Sequence, residues 1–241
     1  HPLPVNFNLI LERCLEPSIY SDKMLREFIA FAETKKQQNY PIHLKFNTGL
    51  NRLGFGKNDI ASILKQLEKT PSVKVKSIFS HLAATEDPSE SDFTKKQLSR
   101  FSIITKKLIA NLTYTPILHA LNTSGIINYP ESQYDMVRSG IGLYGFGNNT
   151  EENKKLKPIA SLKTVISQIH RIKPGESVGY NRAHTASSFE ITATLPLGHA
   201  DGISRALGNG VGWVTIEGQK APIIGNVCMD MIMIDISNIE C

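Results

Sequence analysis

The segment His43–Gly56, which reads HLKFNTGLNRLGFG, constrains the fold more than any other part of the chain. A short apolar run with strand spacing (Ile42, Leu44, Phe46) ends in a Thr-Gly-Leu-Asn-Arg turn, and a polar helix start follows. Strand, loop and helix in this order form the repeating unit of α/β barrels and doubly wound sheets. The loop also carries Arg52, whose planar guanidinium can hold a carboxylate or a phosphate through paired hydrogen bonds.

Strand and helix patterns alternate from here to about residue 147. Strands are predicted at Ile42–Asn47, Val73–Ser80, Pro116–Leu121 and Met136–Arg138. Helical spacing predicts one helix capped by Ser21 with Leu25, Phe28, Ile29 and Ala32, one with Ile60, Ile63, Leu64 and Leu67, and one with Leu98, Phe101, Ile104 and Leu108. Strands separated by such helices imply a parallel sheet with right-handed crossovers.

The number of strands bears on whether the first half is complete. A closed eight-stranded barrel usually needs about 200–250 residues, and here about four strands occupy roughly 150 residues. The first half is therefore either a small open sheet or part of a longer protein, and the lack of an initiator methionine favours the longer protein.

The composition changes at Asn148–Pro158, which is polar, charged and closed by proline, and which predicts a linker. Beyond it the helical period disappears. Strands are predicted at Leu162–Ile172, Phe189–Leu195, Val211–Ile216 and Met231–Ile236, with a tight turn at Glu217-Gly218. We expect an α/β domain over residues 1–150 and an all-β domain over residues 151–241.

Composition argues against several classes of partner. The net charge of +5 comes from scattered basic doublets without interleaved aromatic residues, so no nucleic-acid site is expected. No run approaches the roughly 20 apolar residues of a membrane span. The cysteines Cys14, Cys228 and Cys241 are few, odd in number and without metal-type spacing, which predicts no metal site and a reducing cytoplasm.

Candidate site residues cluster where predicted strands end, because in α/β proteins these positions face a ligand. The four ends carry Lys45 and Arg52, then His81, then His119, Asn122 and Thr123, then Arg138 with Gly140 and Ile141. Together they predict an anionic cofactor that bears a phosphate and a polar ring.

Two of these ends indicate particular chemistry. Thr123 at a helix start, with the backbone around Gly140 and Ile141, can bind a phosphate through a hydroxyl and amides. Arg138 lies in an apolar stretch, where an unpaired guanidinium is costly to bury, so it must face a partner or a ligand. By contrast, a lone histidine such as His81 is more often structural than functional.

The second half adds Tyr180, in the glycine-flanked turn SVGYN, and Met229 with Asp230 at the start of a strand. A tyrosine in a turn is usually a surface anchor. It becomes a candidate base only if nearby cations lower its pKa from about 10.

The motifs HLKFNTGLNRLGF, FSHLAATED, LHALNTSG, DMVRSGIGLYGFG, SVGYN, LPLGHADGISR and PIIGNVCMDM occur in one order along the chain. Through them the chain resembles the alanine racemases, fold-type III enzymes that use pyridoxal 5′-phosphate (PLP). The resemblance implies part of a (β/α)8 TIM-type barrel followed by a C-terminal all-β domain. It also implies a cytoplasmic homodimer with shared active sites that interconverts L- and D-alanine for peptidoglycan.

The resemblance assigns roles to the first-half residues by position. Arg52 would contact the cofactor and the substrate carboxylate, and Lys45 matches a lysine that is often carbamylated to hold that arginine. Thr123, with Gly140 and Ile141, would hold the phosphate, with threonine in place of the usual serine. His119 and Asn122 are expected beside the cofactor.

The remaining roles involve the catalytic proton. Arg138 would donate to the pyridine nitrogen, Tyr180 of the partner subunit would be a catalytic base, and His81 would link the two. Met229 would lie near the substrate carboxylate, and Asp230 at the dimer interface, with Cys228 beside them.

Three departures from the family pattern are visible. Asn47 replaces an aspartate, which removes a charge near Lys45, and His199 replaces a tyrosine at the pocket entrance. The family's Schiff-base lysine, in a segment after the first barrel strand, has no counterpart here. We therefore expect a fragment that also lacks the family's extreme C-terminus and that is inactive alone.

Other readings remain open from the sequence. One is another fold-type III enzyme, such as a broad-specificity or serine racemase; a decarboxylase is disfavoured because Arg138 stands where an acidic ring partner would be. The other is a truncated, non-catalytic racemase-like module.

Overall fold

A computed structural model describes residues 2–239 of the chain. It divides into two compact units, residues 1–160 and residues 161–241. The domain boundary expected between residues 150 and 151 stays a prediction. None of the described helices has the length and apolar character needed to cross a membrane.

The first unit is built on a parallel sheet. Its strands are β1 (Ser18–Ile19), β2 (Tyr40–Lys45), β3 (Val73–Phe79) and β4 (Ile117–His119), which are adjacent in chain order. Its helices are α1 (Phe7–Glu12), α2 (Asp22–Thr34), α3 (Ile60–Leu67), α4 (Ser91–Ile109), α5 (Thr123–Asn128) and α6 (Thr150–Asn153). Consecutive parallel strands joined by helices are the pattern of part of a TIM-type barrel, which confirms the predicted fold class.

The two faces of this sheet differ in character, because successive side chains of a strand alternate. On one face Ile42, Leu44 and Ile78 are fully buried against the helices, in a core that also holds Phe28 of α2. Each such side chain contributes roughly 1.5–3 kcal/mol. The opposite face carries the polar residues of β2, β3 and β4. Ser21 caps α2 as predicted, accepting from the Met24 amide.

The strand predicted at Met136–Arg138 is wrong. The segment makes only single backbone hydrogen bonds beside β4, from Asp135 N to Leu118 O and from Arg138 N to Leu121 O. The Leu118 amide donates to the Asp135 carboxylate instead of to a backbone carbonyl, so no ladder forms. The fourth strand is instead β1, whose two residues are too short to show a pattern.

The linker predicted at Asn148–Pro158 contains α6 and is anchored to the first unit. Asn149 caps α6, and Glu152 within it is 1% exposed. The Glu152 carboxylate accepts from Ser124 Oγ at 2.9 Å and from Asn128 Nδ2 and Asn148 N, each at 2.8 Å. A charged composition suggests a solvated linker, but these three donors satisfy the buried carboxylate.

The second unit is all-β, as predicted. Its strands are β5 (Gln168–Ile172), β6 (Ser177–Val178), β7 (His184–Thr185), β8 (Glu190–Leu195), β9 (Trp213–Ile216), β10 (Gln219–Ile224) and β11 (Ile232–Asp235). Five of them form one antiparallel sheet in the order β5-β8-β11-β10-β9. The predicted turn joins β9 to β10 with φ of 46° at Glu217 and 80° at Gly218, the left-handed pair that a tight hairpin needs.

The strand predicted at Leu162–Ile172 is too long, because only β5 pairs. Its partner β8 ends at Leu195, which is followed by Pro196, a residue without an amide hydrogen for the ladder. Strand β10, which lies between β11 and β9, is missing from the predicted strands; it contains Pro222, a residue that is uncommon within sheets.

The anchoring of α6 makes a stability prediction. Glu152→Gln replaces a carboxylate oxygen by an NH2 group, which would face the groups that donate to the carboxylate. We therefore expect a loss of about 1.5–3 kcal/mol in the free energy of unfolding. Urea unfolding followed by far-UV circular dichroism measures it, since the described α-helices all belong to the first unit. Glu151→Gln, at an exposed neighbour, is the control and should change stability by less than about 0.5 kcal/mol. Equal effects of the two variants would contradict the account.

Candidate functional site

Arg138 lies at the centre of the polar groups at the strand ends. Its Nη1 donates to His119 Nδ1, and its Nη2 donates to the backbone carbonyls of Ser80 at 2.9 Å and Ala120 at 3.1 Å. Nη2 also lies 3.3 Å from His81 Nδ1. Burial lowers the pKa of Arg138 to about 10, so the guanidinium stays cationic at neutral pH.

The two histidines beside Arg138 are held neutral. An arginine can only donate, so Nδ1 of His81 and of His119 must be acceptors. Burial, followed by the charge of Arg138, lowers the pKa of each histidine to about 4. The His119 ring stacks on Phe79 with centroids 4.9 Å apart, and the Arg138 guanidinium lies over the same ring at 5.4 Å.

Two further cations belong to the same region. Lys45 ends β2 with its Nζ 6.0 Å from the Phe79 ring centroid. Burial lowers the pKa of Lys45, and the charges of Arg52 and Arg138 lower it further. Arg52 is exposed, and among residues 2–239 its guanidinium makes no hydrogen bond or ion pair. Such a concentration of positive charge favours an anionic ligand.

The loop that carries Arg52 is shaped by Asn47. Its Oδ1 accepts from the amides of Gly49 at 3.1 Å and Asn51 at 3.0 Å, and its Nδ2 donates to Asn51 Oδ1. An aspartate has no amide donor for this last bond, so Asn47 has a structural use here. Whether Lys45 is carbamylated stays a prediction.

Gln97 of α4, which is not among the predicted site residues, joins this loop to the next one. Its side chain is fully buried; Nε2 donates to Thr48 Oγ1 at 3.3 Å, and Oε1 accepts from the Ala83 amide at 3.0 Å. Thr48 follows β2 and Ala83 follows β3. The sequence does contain a signal for it, because the helical spacing of Phe101, Ile104 and Leu108 places Gln97 on the buried face of α4.

Thr123 and the glycine-rich segment are in direct contact. Thr123 Oγ1 accepts from the amides of Gly140 at 3.0 Å and Gly142 at 3.1 Å. A Cβ at Gly142 would lie 2.7 Å from Thr123 Cγ2, so glycine permits this approach. Asn122 caps α5, with Oδ1 accepting from the Gly125 amide and from Thr85 Oγ1. Ile141 is exposed.

The second unit brings its own candidates together. Tyr180 is 73% exposed in the turn after β6 and lines a groove of about 1130 Å³ with Cys228 and Asp230. The exposed Met229 lies three residues before the start of β11, and the His199 amide donates to the Cys228 carbonyl at 3.0 Å. The catalytic and binding roles expected for residues of both units stay predictions.

Comparison with known proteins now gives the family. The family model described as "Alanine racemase, N-terminal domain" matches residues 2–147, and the one described as "Alanine racemase, C-terminal domain" matches residues 159–241. The chain belongs to the alanine racemase family.

The relatives and solved structures that the chain resembles are also alanine racemases. Alanine racemase of Clostridium tetani is 37% identical over 231 residues, which are 94% of this chain and 59% of that protein. Among solved structures, alanine racemase of Bartonella henselae with covalently bound pyridoxal phosphate has 28% identity and a TM-score of 0.81, covering 98% of this chain and 64% of that one. Alanine racemase of Clostridium difficile 630 in complex with cycloserine has 25% identity and a TM-score of 0.86, covering 100% and 62%. The chain thus spans about three fifths of the relatives it matches.

The neutral histidines predict how stability depends on pH. Because the pKa of His81 and of His119 is about 4 in the folded state and about 6.5 when unfolded, the unfolded chain binds more protons between these values. The stabilising contribution is complete above pH 6.5 and is lost toward pH 4, by up to about 1.4 kcal/mol per pH unit for each histidine. Urea unfolding between about pH 7 and pH 5 measures this slope.

The variant His81→Asn should reduce the slope, and His170→Gln, at an exposed histidine of the second unit, should leave it unchanged. A slope that His81→Asn leaves intact would contradict a half-buried, neutral imidazole at His81.

Proposed function

We propose that the protein to which this chain belongs is an alanine racemase, a cytoplasmic PLP enzyme that interconverts L- and D-alanine for peptidoglycan synthesis. Membership of the family and the printed names of the relatives support the activity. The bound cofactor of the Bartonella henselae relative supports PLP. We propose a homodimer with shared active sites.

The environment of Arg138 carries this proposal. Its contacts to His119, Ser80 and Ala120 leave Nε–H and the second hydrogen of Nη1 without an acceptor among residues 2–239. A permanently protonated donor with free hydrogens suits the unprotonated nitrogen of a pyridine ring. A carboxylate at this position would instead favour a protonated ring nitrogen. The donor set therefore fits PLP in the form that racemases need.

The phosphate of the same cofactor fits Thr123. Both lone pairs of its hydroxyl accept from the amides of Gly140 and Gly142, so the hydroxyl proton is left to donate. The Ile141 amide, at the start of a short 3-10 helix, also meets no acceptor in the part of the chain that the structure describes. A hydroxyl and an amide with free hydrogens are suited to phosphate oxygens.

When bound, PLP would delocalise the negative charge that develops at the substrate Cα. Arg138 would keep the ring nitrogen unprotonated, which limits this delocalisation and disfavours transamination. Arg52 would bind the substrate carboxylate, with Lys45 holding its guanidinium. Tyr180 of a partner subunit would move the proton on one face of Cα, and His81 would connect its phenol to Arg138.

Racemisation needs a second proton-transfer group on the other face of Cα. We propose for it the family's lysine, which lies outside the 241 residues. Met229 and Asp230 would lie near the substrate carboxylate and at the dimer interface.

The role of Tyr180 is tested in the full-length protein with Tyr180→Phe. We expect proton exchange into one enantiomer of alanine to fall by roughly 100- to 10,000-fold, while exchange into the other enantiomer continues. Exchange in heavy water, measured separately from L- and D-alanine, gives the result. Tyr134→Phe, which removes another partly exposed phenol hydroxyl, is the control. Full-rate exchange from both enantiomers would exclude Tyr180 as a base.

The phosphate site is tested with Thr123→Val and Thr123→Ser. Removing the hydroxyl should weaken PLP binding about tenfold, which corresponds to about 1.4 kcal/mol, whereas serine should bind nearly as the native protein does. Equilibrium dialysis measures the affinity, and pyridoxal, which lacks the phosphate, should bind all three proteins alike. Equal PLP affinity of the valine variant would show that Thr123 does not contact the phosphate.

A further inference from the structure

A continuous row of hydrogen-bonded side chains crosses the parallel sheet from Arg138 to the surface. His119 on β4 accepts from Arg138 at Nδ1, and its Nε2 lies 3.0 Å from Ser77 Oγ on β3. Ser77 Oγ lies 2.6 Å from His43 Nδ1 on β2, and His43 Nε2 lies 2.9 Å from Glu16 Oε2. The row therefore links the guanidinium to a surface carboxylate through three strands.

The sheet register builds this row. Ile42 lies opposite Val75, but His43 lies opposite Ser77, so Lys76 is an extra residue at a bulge. Without the bulge, His43 would face Lys76. Ser77 itself is 1% exposed, so its hydroxyl needs the two imidazole partners that the shift gives it.

Arg138 fixes the direction of every proton in the row. Since a guanidinium only donates, Nδ1 of His119 is an acceptor, and the neutral ring carries its proton on Nε2. That proton is donated to Ser77 Oγ, whose own hydrogen then goes to His43 Nδ1. A neutral His43 ring that accepts at Nδ1 carries its proton on Nε2 and donates it to the Glu16 carboxylate.

The charges at the two ends agree with this direction. The inner end is a cation, and the outer end is an anion, because a hydrogen bond from Lys76 at 2.6 Å lowers the pKa of Glu16. Hydrogen bonds aligned from a positive to a negative end polarise one another. The row does not conduct protons from solvent, because Arg138 at its inner end stays protonated.

We propose that Ser77, His43 and Glu16 are positioning residues for Arg138, which they act on by fixing the tautomer and ring orientation of His119. The opposite tautomer would place an N–H of His119 against an N–H of Arg138. If the proposed function holds, the row aims the Arg138 guanidinium at a cofactor ring. The histidine tautomers and the restraint on Arg138 do not depend on the proposed function, and they can be measured without a cofactor.

The experiment is NMR of the ¹⁵N-labelled chain, recording histidine ring nitrogens and the guanidinium signals of Arg138. We expect His43 and His119 to be protonated on Nε2, and rotation of the Arg138 guanidinium to be slow. Ser77→Ala should shift the His119 nitrogens and remove the slow rotation, whereas Ser77→Thr should restore both. Lys74→Gln, at an exposed position of β3 whose ammonium lies over the Tyr114 ring and not beside the row, is the matched control and should keep the native signals.

Several results would overturn the proposal. They are an Nδ1-protonated His119, or native Arg138 signals in a folded Ser77→Ala protein. If Ser77→Ala fails to fold, the surface variant Glu16→Gln decides: we expect shifted nitrogens in His43 and, more weakly, in His119, and unchanged signals in both would refute the row. The proposed function is tested separately by measuring the PLP affinity of the native chain. If the chain does not bind PLP, the proposed function fails, but the predicted tautomers are unaffected.

Discussion

The charge of one half-buried guanidinium, that of Arg138, determines the arrangement of the strand-end groups in the first unit. It donates hydrogen bonds to the backbone carbonyls of Ser80 and Ala120, which directly follow β3 and β4. Because it can only donate, it makes His81 and His119 acceptors, and its charge contributes to the low pKa of both. A cation at this place thus explains neutral histidines and a positive region suited to an anionic cofactor.

Much of the fold could be predicted, because long periodic elements carry strong signals. Strands β2, β3 and β8 match their predicted bounds to within about two residues, and helices α2, α3 and α4 contain the apolar positions predicted for them. The failures have local causes that spacing does not show. The Asp135 side chain takes the place of a strand partner at Met136–Arg138, and buried hydrogen bonds of Glu152 convert a charged segment into an anchored helix.

The site could be predicted in part, because parallel strands bring their carboxyl ends to one edge of the sheet. That rule found His81 and His119, which contact Arg138 directly, and Thr123, which contacts the glycine-rich segment that follows Arg138. It did not find Ser77, Phe79 or Gln97, which look like ordinary strand or helix residues. The pairing of Ser77 with His43 depends on a one-residue bulge, which no periodicity reveals. The roles of Tyr180 and Met229 come from the family resemblance and stay predictions.

We propose that Arg138 would present hydrogen-bond donors to the ring nitrogen of PLP and so keep that nitrogen unprotonated. The most direct measurement is the ¹⁵N chemical shift of the ring nitrogen of labelled PLP bound to the full-length protein at neutral pH. We expect the shift of an unprotonated, hydrogen-bonded pyridine, and a move to the protonated value when Arg138→Glu supplies a carboxylate. A protonated ring nitrogen in the native protein would contradict it.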